Sequence, residues 1–299
     1  MDRVLTLAAP HPGGLTVAIV ADAGDALNGL GAETGDVDWL ASGQAADIAF
    51  TGIDVRAAEM AVRGVLDGHA LDILAGANAG RRKRLLVADM DATIVTSETL
   101  DDLAAHAGLK DAVAAITKKA MNGELKFSQA VKDRGAMLAD LPTSALADTY
   151  DETTLTAGAV TLVRTMRGAG AHCALVSGGF TYFASRVADA CGFHEHHANR
   201  FEIADARLTG KIIEPILGKA AKRATLERLA AELDLTPSQT LAVGDGANDL
   251  PMIEAAGLGV AYHGKPVVAA AAPACIDYGD LTTLLYFQGY RLDEFAADT

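Results

Sequence analysis

Short apolar runs alternate with longer amphipathic stretches from residue 84 onward. Apolar runs bounded by polar or glycine positions predict buried strands, and apolar positions spaced three and four residues apart predict helices. The predicted strands are Leu85–Ala88, His172–Val176, Thr240–Val243, Leu258–Ala261 and Ala274–Ile276. The predicted helices are Ala157–Arg167, Tyr182–Ala190, Lys219–Glu232 and Asp249–Ala256. This alternation predicts an α/β fold with a Rossmann-like, doubly wound parallel sheet.

Two segments interrupt the alternation. Helical spacing recurs at Glu98–Gly108, Lys110–Met121 and Phe127–Ala139 between the first two predicted strands. These helices predict a cap insertion over about residues 96–151, which is well placed to act as a lid that excludes water. Phe201–Ile212 contains a glycine and predicts an inserted β-hairpin.

The first 80 residues predict a separate α+β module. Strands are predicted at Leu15–Val20, Val37–Leu40, Ala46–Thr51 and Leu71–Leu74, with helices at Ala23–Leu30 and Val55–Leu66. The order β-α-β-β-α-β is that of a ferredoxin-like module. We therefore predict two domains, 1–80 and 84–299, and leave open whether the first binds an effector or has a structural role.

Composition and charge exclude several classes of protein. The net charge of −14 argues against nucleic acid or an anionic membrane as a partner. The start of the chain lacks the basic and apolar regions of a signal peptide, and the three cysteines form no C-x-x-C pair. We expect a cytoplasmic protein with a small-molecule substrate. Residues 81–84 are interpreted as a solvated basic linker, and a homodimer is left open.

Polar residues follow three of the predicted parallel strands. Asp89 and Asp91 follow the first strand, Ser177-Gly178-Gly179 the second, and Asp245 the third. The carboxyl ends of parallel strands meet at one edge of a sheet, where ligands bind. Each group alone also fits an ordinary turn or cap. Together they predict a phosphate-handling site.

The residue types suggest a role for each group. Hydrolysis of phosphate esters needs accelerations approaching ~10²¹-fold, and a general acid or base supplies only about 10²–10⁴-fold. We expect Asp89 to be the nucleophile that forms an aspartyl phosphate, and Asp91 to donate and accept the proton. Asp89, Asp245 and the backbone carbonyl of Asp91 can bind Mg²⁺.

Other groups are expected to bind the phosphate or to orient its ligands. Ser177, Gly178, Gly179 and Asn248 can donate hydrogen bonds to phosphate. Lys222 adds positive charge; Lys219 and Arg223 stand close, but Leu226 and Leu229 define an apolar helix face that favours Lys222. Asp249 is expected to orient Lys222 or a metal-bound water without itself binding the metal. The histidines of His194–His197 suggest either a metal site or an exposed turn, and we favour the turn.

The motifs resemble those of the haloacid dehalogenase superfamily, and most closely its phosphoserine phosphatase family. The resemblance covers about residues 84–290. It rests on the acidic segment ETLDDLA from Glu98, on FSQAVKDRGAML from Phe127, and on VGDGANDLPMI from Val243. It implies Mg²⁺-dependent hydrolysis of phosphoserine, the last step of serine biosynthesis. It further implies that Glu98 binds the substrate ammonium and Arg134 its carboxylate, with Phe127 on the same substrate-recognition helix.

One residue departs from the family pattern. Ala92 stands where the family usually has serine, while Thr93 is kept. Two alternatives stay open. The chain could act on another small phosphate ester as a phosphatase or phosphotransferase of the same superfamily, or it could be a non-catalytic sensor of a phosphorylated metabolite. The intact Asp89, Asp91, Lys222 and Asp245 argue against a sensor.

Overall fold

The computed structural model describes residues 1–121 and 124–297. The N-terminal part of the chain forms an antiparallel sheet with two helices. Its elements are β1 (Arg3–Ala8), α1 (Val17–Gly29), β2 (Glu33–Ala41), β3 (Ala45–Thr51), α2 (Val55–Val65) and β4 (Asp72–Ala77). The strand order is β2-β3-β1-β4, and all three pairs are antiparallel. The predicted β-α-β-β-α-β order is confirmed.

The first strand of this module was placed wrongly from the sequence. Leu15–Val20 leads into and begins α1, and the strand is Arg3–Ala8 instead. The side chain of Thr16 accepts a hydrogen bond from the backbone N–H of Ile19 and so caps the helix. The apolar run was therefore the first turn of an amphipathic helix, whose buried residues recur three and four positions apart.

The rest of the chain forms an α/β unit around a seven-stranded sheet. The strands are β5 (Leu85–Ala88), β6 (His172–Phe180), β7 (Glu195–Ala204), β8 (Arg207–Ile213), β9 (Thr240–Gly244), β10 (Leu258–Tyr262) and β11 (Ala274–Ile276). Their order is β11-β10-β9-β5-β6-β7-β8, and only β8 runs antiparallel to its neighbour. The doubly wound parallel sheet is confirmed, with β5 near its centre.

Helices cover both faces of this sheet and its carboxyl edge. They are α3 (Thr99–His106), α4 (Lys110–Met121), α5 (Phe127–Met137), α6 (Ser144–Glu152), α7 (Ala159–Gly168), α8 (Thr181–Cys191), α9 (Lys219–Glu232), α10 (Leu250–Ala255), α11 (Pro266–Ala269) and α12 (Thr283–Phe287). The chain enters and leaves the helical insertion side by side, because Val95 and Leu155 form an antiparallel bridge. This bridge places α3, α4 and α5 above the carboxyl ends of the strands.

The hairpin of β7 and β8 supports the insertion from the other side. Leu208 exchanges backbone hydrogen bonds with Asp140 and Leu141 at the end of α5. The hairpin is longer than predicted, because β7 also pairs in parallel with β6. The expected turn at His194–His197 is therefore wrong: Glu195–His197 belong to β7, and Glu195 lies 2.7 Å from a ring nitrogen of both His172 and His197.

The two sheets are in contact, and the basic residues between them take part. Tyr286 of α12 packs among Ala8, Leu40, Ala41 and Ala45. Arg81 pairs with the buried Asp47, and Arg82 stacks on the ring of Tyr290. The interpretation of residues 81–84 as a solvated linker is thus wrong for Arg81, whose side chain is 18% exposed, whereas Arg82 is exposed. The division into domains 1–80 and 84–299 stays a prediction. Among the described residues, no helix is both long and apolar enough to cross a bilayer.

Candidate active site

Three buried carboxylates meet at the carboxyl edge of the parallel sheet. Asp89 directly follows β5, Asp245 directly follows the neighbouring β9, and Asp249 begins α10. One oxygen from each lies within 4.8 Å of the others. The adjacency of β5 and β9 creates this cluster, as the strand-end argument predicts. The sequence predicts that Asp249 orients Lys222 or a metal-bound water, and in the structure its carboxylate lies in the cluster and contacts Lys222.

Lys222 of α9 joins two of these carboxylates. Its Nζ lies 2.5 Å from Oδ1 of Asp89 and 2.5 Å from Oδ1 of Asp249. Burial alone would lower the pKa of Lys222. The charges of Asp249 and Asp89 outweigh this effect and raise the pKa of Lys222 above its usual range. Burial and the charge of Asp249 raise the pKa of Asp89 well above its ordinary value, which Lys222 only partly offsets. Arg223, one of the two alternatives, pairs with Glu227 on the exposed side of α9, and the side chain of Lys219 lies outside the described residues.

The loop after β9 fixes Asp249 tightly. The backbone N–H of Gly246 donates to Oδ2 of Asp249 at 3.0 Å. A β-carbon on Gly244 would lie 2.4 Å from Cγ of Asp249, so this position accepts only glycine. The side chain of Asn248 lies beside the same carboxylate, with Nδ2 3.4 Å from Oδ1. The glycines of the motif thus make room for a fully buried carboxylate.

Asp91 is held by donors from two elements. Its Oδ1 accepts hydrogen bonds from the backbone N–H of Thr99 at 2.9 Å and from the Thr99 hydroxyl at 2.7 Å. Its Oδ2 accepts one from the hydroxyl of Ser177 at 2.9 Å. The next residue, Ala92, has a φ of +53°, a left-handed conformation that costs a non-glycine residue about 1–2 kcal/mol. After this turn the chain returns, so that Thr99 donates to the carboxylate of Asp91.

The glycines after Ser177 lie under the insertion. The sequence ended the strand at Val176, but β6 continues to Phe180 with a bulge over these residues. A β-carbon on Gly178 would lie 3.2 Å from the ring of Phe127, and one on Gly218 would lie 3.0 Å from the same ring. A β-carbon on Gly179 would lie 3.0 Å from Oδ2 of Asp91. Phe127 of α5 therefore packs directly on the backbone that borders the site.

The insertion brings two further charged residues to the same opening. Glu98 precedes α3, and burial raises its pKa to about 7, with contributions from the charges of Asp91 and Asp245. Arg134 of α5 donates through Nη1 to the hydroxyl of Thr117 at 3.3 Å. Burial lowers the pKa of Arg134, although nearby carboxylates, including Glu98, raise it. The two residues that the resemblance assigned to the substrate therefore face one site.

Sequence reasoning missed two residues at the site. Asn199 of β7 is buried; its side chain donates to the carbonyl of Gly178 at 2.8 Å and accepts from the N–H of Leu217 at 2.7 Å, which ties the bulge to the start of α9. Lys265 follows β10, and its Nζ lies 2.9 Å from Oδ2 of Asp245. The strand-end argument applied to β10 could have found Lys265. No sequence signal marked Asn199.

The geometry agrees with comparisons with known proteins. A family model described as haloacid dehalogenase-like hydrolase matches residues 86–254. The chain belongs to this family of hydrolases.

Particular relatives narrow the similarity further. The chain is 40% identical over 258 residues to a phosphoserine phosphatase of Streptomyces coelicolor, covering 85% of this chain and 63% of that one. It is 45% identical to a phosphoserine phosphatase of Streptococcus thermophilus, covering 67% of this chain and 93% of that one. A solved structure titled a phospho-aspartyl intermediate analogue of phosphoserine phosphatase matches with a TM-score of 0.65 and 36% identity, over 69% of this chain and 99% of that one. The chain spans 54–63% of the length of several curated relatives.

Proposed function

We propose that the chain is a Mg²⁺-dependent phosphoserine phosphatase that hydrolyses O-phospho-L-serine to L-serine and phosphate. The observation that carries this proposal is the buried cluster of Asp89, Asp245 and Asp249 with Lys222 between two of its members. A carboxylate at a strand end, oriented by a lysine, is suited to attack a phosphorus atom. The names of the relatives support the substrate. The reaction would complete serine biosynthesis in the cytosol.

The donor set fits a hard divalent cation. Mg²⁺ prefers oxygen ligands, and Asp89 and Asp245 offer carboxylates at one place, together with the backbone carbonyl of Asp91. Burial raises the pKa of Asp245 as well as that of Asp89, because several carboxylates crowd together away from water. Such crowding is relieved by a bound cation. When bound, Mg²⁺ supplies charge that cancels the repulsion between Asp89 and a phosphate dianion.

Asp89 and Asp91 divide the chemistry between them. An oxygen of Asp89 attacks phosphorus and the bond to the seryl oxygen breaks, which leaves an aspartyl phosphate. The departing alkoxide takes a proton from Asp91. Since Oδ1 of Asp91 accepts two hydrogen bonds from the described residues and Oδ2 accepts one, Oδ2 is the oxygen that carries this proton. Water then attacks phosphorus and returns a proton to Asp91, and Asp89 is released.

The remaining groups bind the substrate. The hydroxyl of Ser177 and the backbone N–H of Gly178 can donate to phosphate oxygens, and Lys222 adds a positive charge. Asn248 stands at the same edge, beside Asp249. Above them, Glu98 complements the substrate ammonium and Arg134 its carboxylate. Arginine can bind a carboxylate through two parallel hydrogen bonds and so fix its orientation. Phe127 covers the backbone at the opening and excludes water.

Phosphate release from a panel of esters tests the proposal. The panel contains L-phosphoserine, D-phosphoserine, phosphothreonine and an aryl phosphate, each with Mg²⁺ and with excess EDTA. We expect the highest kcat/KM for L-phosphoserine, loss of activity in EDTA and recovery with Mg²⁺. Equal turnover of L-phosphoserine and the aryl phosphate would favour a broad phosphatase instead. Full activity in EDTA would contradict the metal site.

A further inference from the structure

The loop after β10 places a lysine between the base of the site and the insertion. Nζ of Lys265 lies 2.9 Å from Oδ2 of Asp245 and 3.8 Å from Oε1 of Glu98. Residues 86–254, which match the family model, do not include this loop. Lys265 therefore contacts both Asp245 at the strand ends and Glu98 of the insertion. Neither the motifs nor the family match assigns it a role.

The backbone of this loop is held in place. The N–H of Lys265 donates to the carbonyl of Asp245 at 3.0 Å, so the loop is joined to the strand end that it serves. Two residues earlier, the backbone N–H of His263 donates to the carbonyl of Ile276 at 2.8 Å, and its ring bonds the carbonyl of Gly279 at 3.0 Å. Pro266 then begins α11. The ammonium is thus presented from a fixed backbone rather than from a free surface segment.

Lys265 supplies the positive charge that pairs with the carboxylates of Asp245 and Glu98. Within the described residues, Lys265 is the one basic side chain that pairs with Asp245 or with Glu98. The side chain of Lys265 carries a positive charge at neutral pH, as lysine ordinarily does, and this charge lies 2.9 Å from Asp245. A fixed positive charge beside a metal-binding carboxylate repels a divalent cation and attracts a phosphate dianion.

We propose that Lys265 is a positioning residue that sets the balance between metal affinity and phosphate affinity at this site. Its ammonium orients the carboxylates of Asp245 and Glu98, weakens the binding of Mg²⁺, and strengthens the binding of phosphate. The inference rests on the proposed function, because it takes Asp245 as a metal ligand. It differs from a purely structural role in one respect: removal of the charge shifts the two affinities in opposite directions.

Replacement of the charge tests this inference. In Lys265→Met, we expect the Kd for Mg²⁺ alone, measured by titration calorimetry, to fall on the order of tenfold. The Kd for inorganic phosphate at saturating Mg²⁺ should rise by a similar factor, on the order of tenfold. Lys265→Arg keeps the charge and should shift both constants less. Lys132→Met is the matched control, because Lys132 is also a half-exposed lysine paired with a carboxylate, that of Glu214, but lies outside the site.

The outcomes separate the inference from the function that underlies it. Two constants that weaken together, or that both stay at the wild-type values, would overturn the inference while wild-type hydrolysis of phosphoserine stands. Wild-type protein that neither binds Mg²⁺ nor releases phosphate would overturn the proposed function and the inference with it. Thermal denaturation checks that the variants fold. If Lys265→Met does not fold, Lys265→Gln against Lys265→Arg gives the same comparison, and equal constants in that pair would contradict the inference.

Discussion

The floor of the site and the helical insertion above it are built in different ways. On the floor, Asp89, Lys222 and Asp249 are at most 4% exposed, and the lysine lies 2.5 Å from both carboxylates. In the insertion, the side chain of Glu98 is 50% exposed and lies 3.8 Å from its partner, and the hydrogen bonds of Arg134 to Ala130 and Thr117 are both 3.3 Å long. The floor is ordered by its own contacts, whereas the insertion leaves charged groups incompletely paired.

This difference separates reactivity from selectivity. Groups that stabilise a transition state act best when they are fixed before the reaction, which short buried contacts achieve. Groups that recognise a substrate must keep capacity for new bonds, and a half-paired glutamate and arginine have it. We therefore expect changes on the floor to abolish turnover of every substrate. Changes in the insertion should discriminate between substrates.

The largest effect should follow loss of the proposed nucleophile. Asp89→Asn keeps the shape of the side chain but removes the attacking carboxylate, so kcat should fall at least about 10⁴-fold for phosphoserine and aryl phosphate alike. Burial disfavours the charge of Asp89, so the variant should remain folded. Rapid-quench labelling with peptide mapping should find phosphate on Asp89 in the wild type and none in the variant.

A buried aspartate outside the site provides the control. Asp72 of β4 is 2% exposed and accepts hydrogen bonds from the backbone N–H groups of Asp277, Tyr278 and Gly279. Asp72→Asn should lower the free energy of unfolding by about 1–3 kcal/mol and leave kcat near the wild-type value. If Asp72→Asn loses as much turnover as Asp89→Asn, loss of any buried carboxylate abolishes activity, and the effect at Asp89 is not specific to the site.

The floor was also the part of the site that the sequence made predictable. Asp89, Asp91, Ser177 and Asp245 follow short apolar strands, and a parallel sheet brings such strand ends together whatever the loops do. Lys222 could be chosen over its neighbours because two leucines define the buried face of its helix.

The insertion was predictable only as a set of helices. Helical periodicity does not tell a solvated charge from a ligand, so Glu98 and Arg134 depended on the resemblance. Contacts between segments distant in sequence were missed. Lys265 reaches Asp245 across a loop, and Asn199 joins Gly178 to Leu217. The first strand was misplaced for a local reason, since a capped helix also begins with an apolar run.

The second prediction concerns selectivity. Arg134→Ala should raise KM for phosphoserine by an amount equivalent to about 2–5 kcal/mol, the usual cost of removing one partner of a buried charged pair. KM for an aryl phosphate, which has no carboxylate at that place, should stay near the wild-type value. Steady-state kinetics with both substrates measures the split.

Neighbouring variants test this split. Lys132→Ala lies on the same helix but removes a lysine that pairs with Glu214 outside the site, and it should leave both KM values unchanged. Arg134→Lys should recover part of the loss, because it restores the charge without the two-pronged geometry. An equal rise of KM for both substrates in Arg134→Ala would mean that Arg134 does not discriminate between substrates.

The third prediction concerns the contact between the two regions, where Phe127 of the insertion packs on Gly178 of β6. In Gly178→Ala the new methyl would lie 3.2 Å from the ring of Phe127, so the ring must shift. Overpacking of this kind costs about 1–3 kcal/mol, and we expect kcat/KM to fall for both substrates together. Gly168→Ala is the matched control, since a β-carbon there would meet no atom within 4 Å. If Phe127→Leu fails to relieve the defect of Gly178→Ala, the ring is not its cause.

The smallest expected effect is on the free energy of unfolding, which the ionised carboxylate of Glu98 in the insertion should lower. Burial raises the pKa of Glu98 from 4.5 to about 7, so the ionised form is disfavoured in the folded state. Its contribution to stability is fully present below pH 4.5 and is lost as the pH rises to about 7. Glu98→Gln, which cannot ionise, should thus unfold at higher urea than the wild type at pH 8. The gain should be about 1 kcal/mol at most, because half of the side chain is exposed and water screens its charge.

The same variant links that stability to recognition. The gain from Glu98→Gln should shrink to zero as the pH falls toward 5, where the wild-type carboxyl is protonated. At pH 8 the variant should bind phosphoserine more weakly, since it has lost the proposed partner of the substrate ammonium. A variant less stable than the wild type at pH 8 would mean that Glu98 is already satisfied within the fold. Equal stabilisation at both pH values would mean that ionisation of Glu98 is not the cause of the gain. If Glu98 is already satisfied, the insertion pairs its charged groups as fully as the floor does, and it leaves no incompletely paired charge for the substrate to bind.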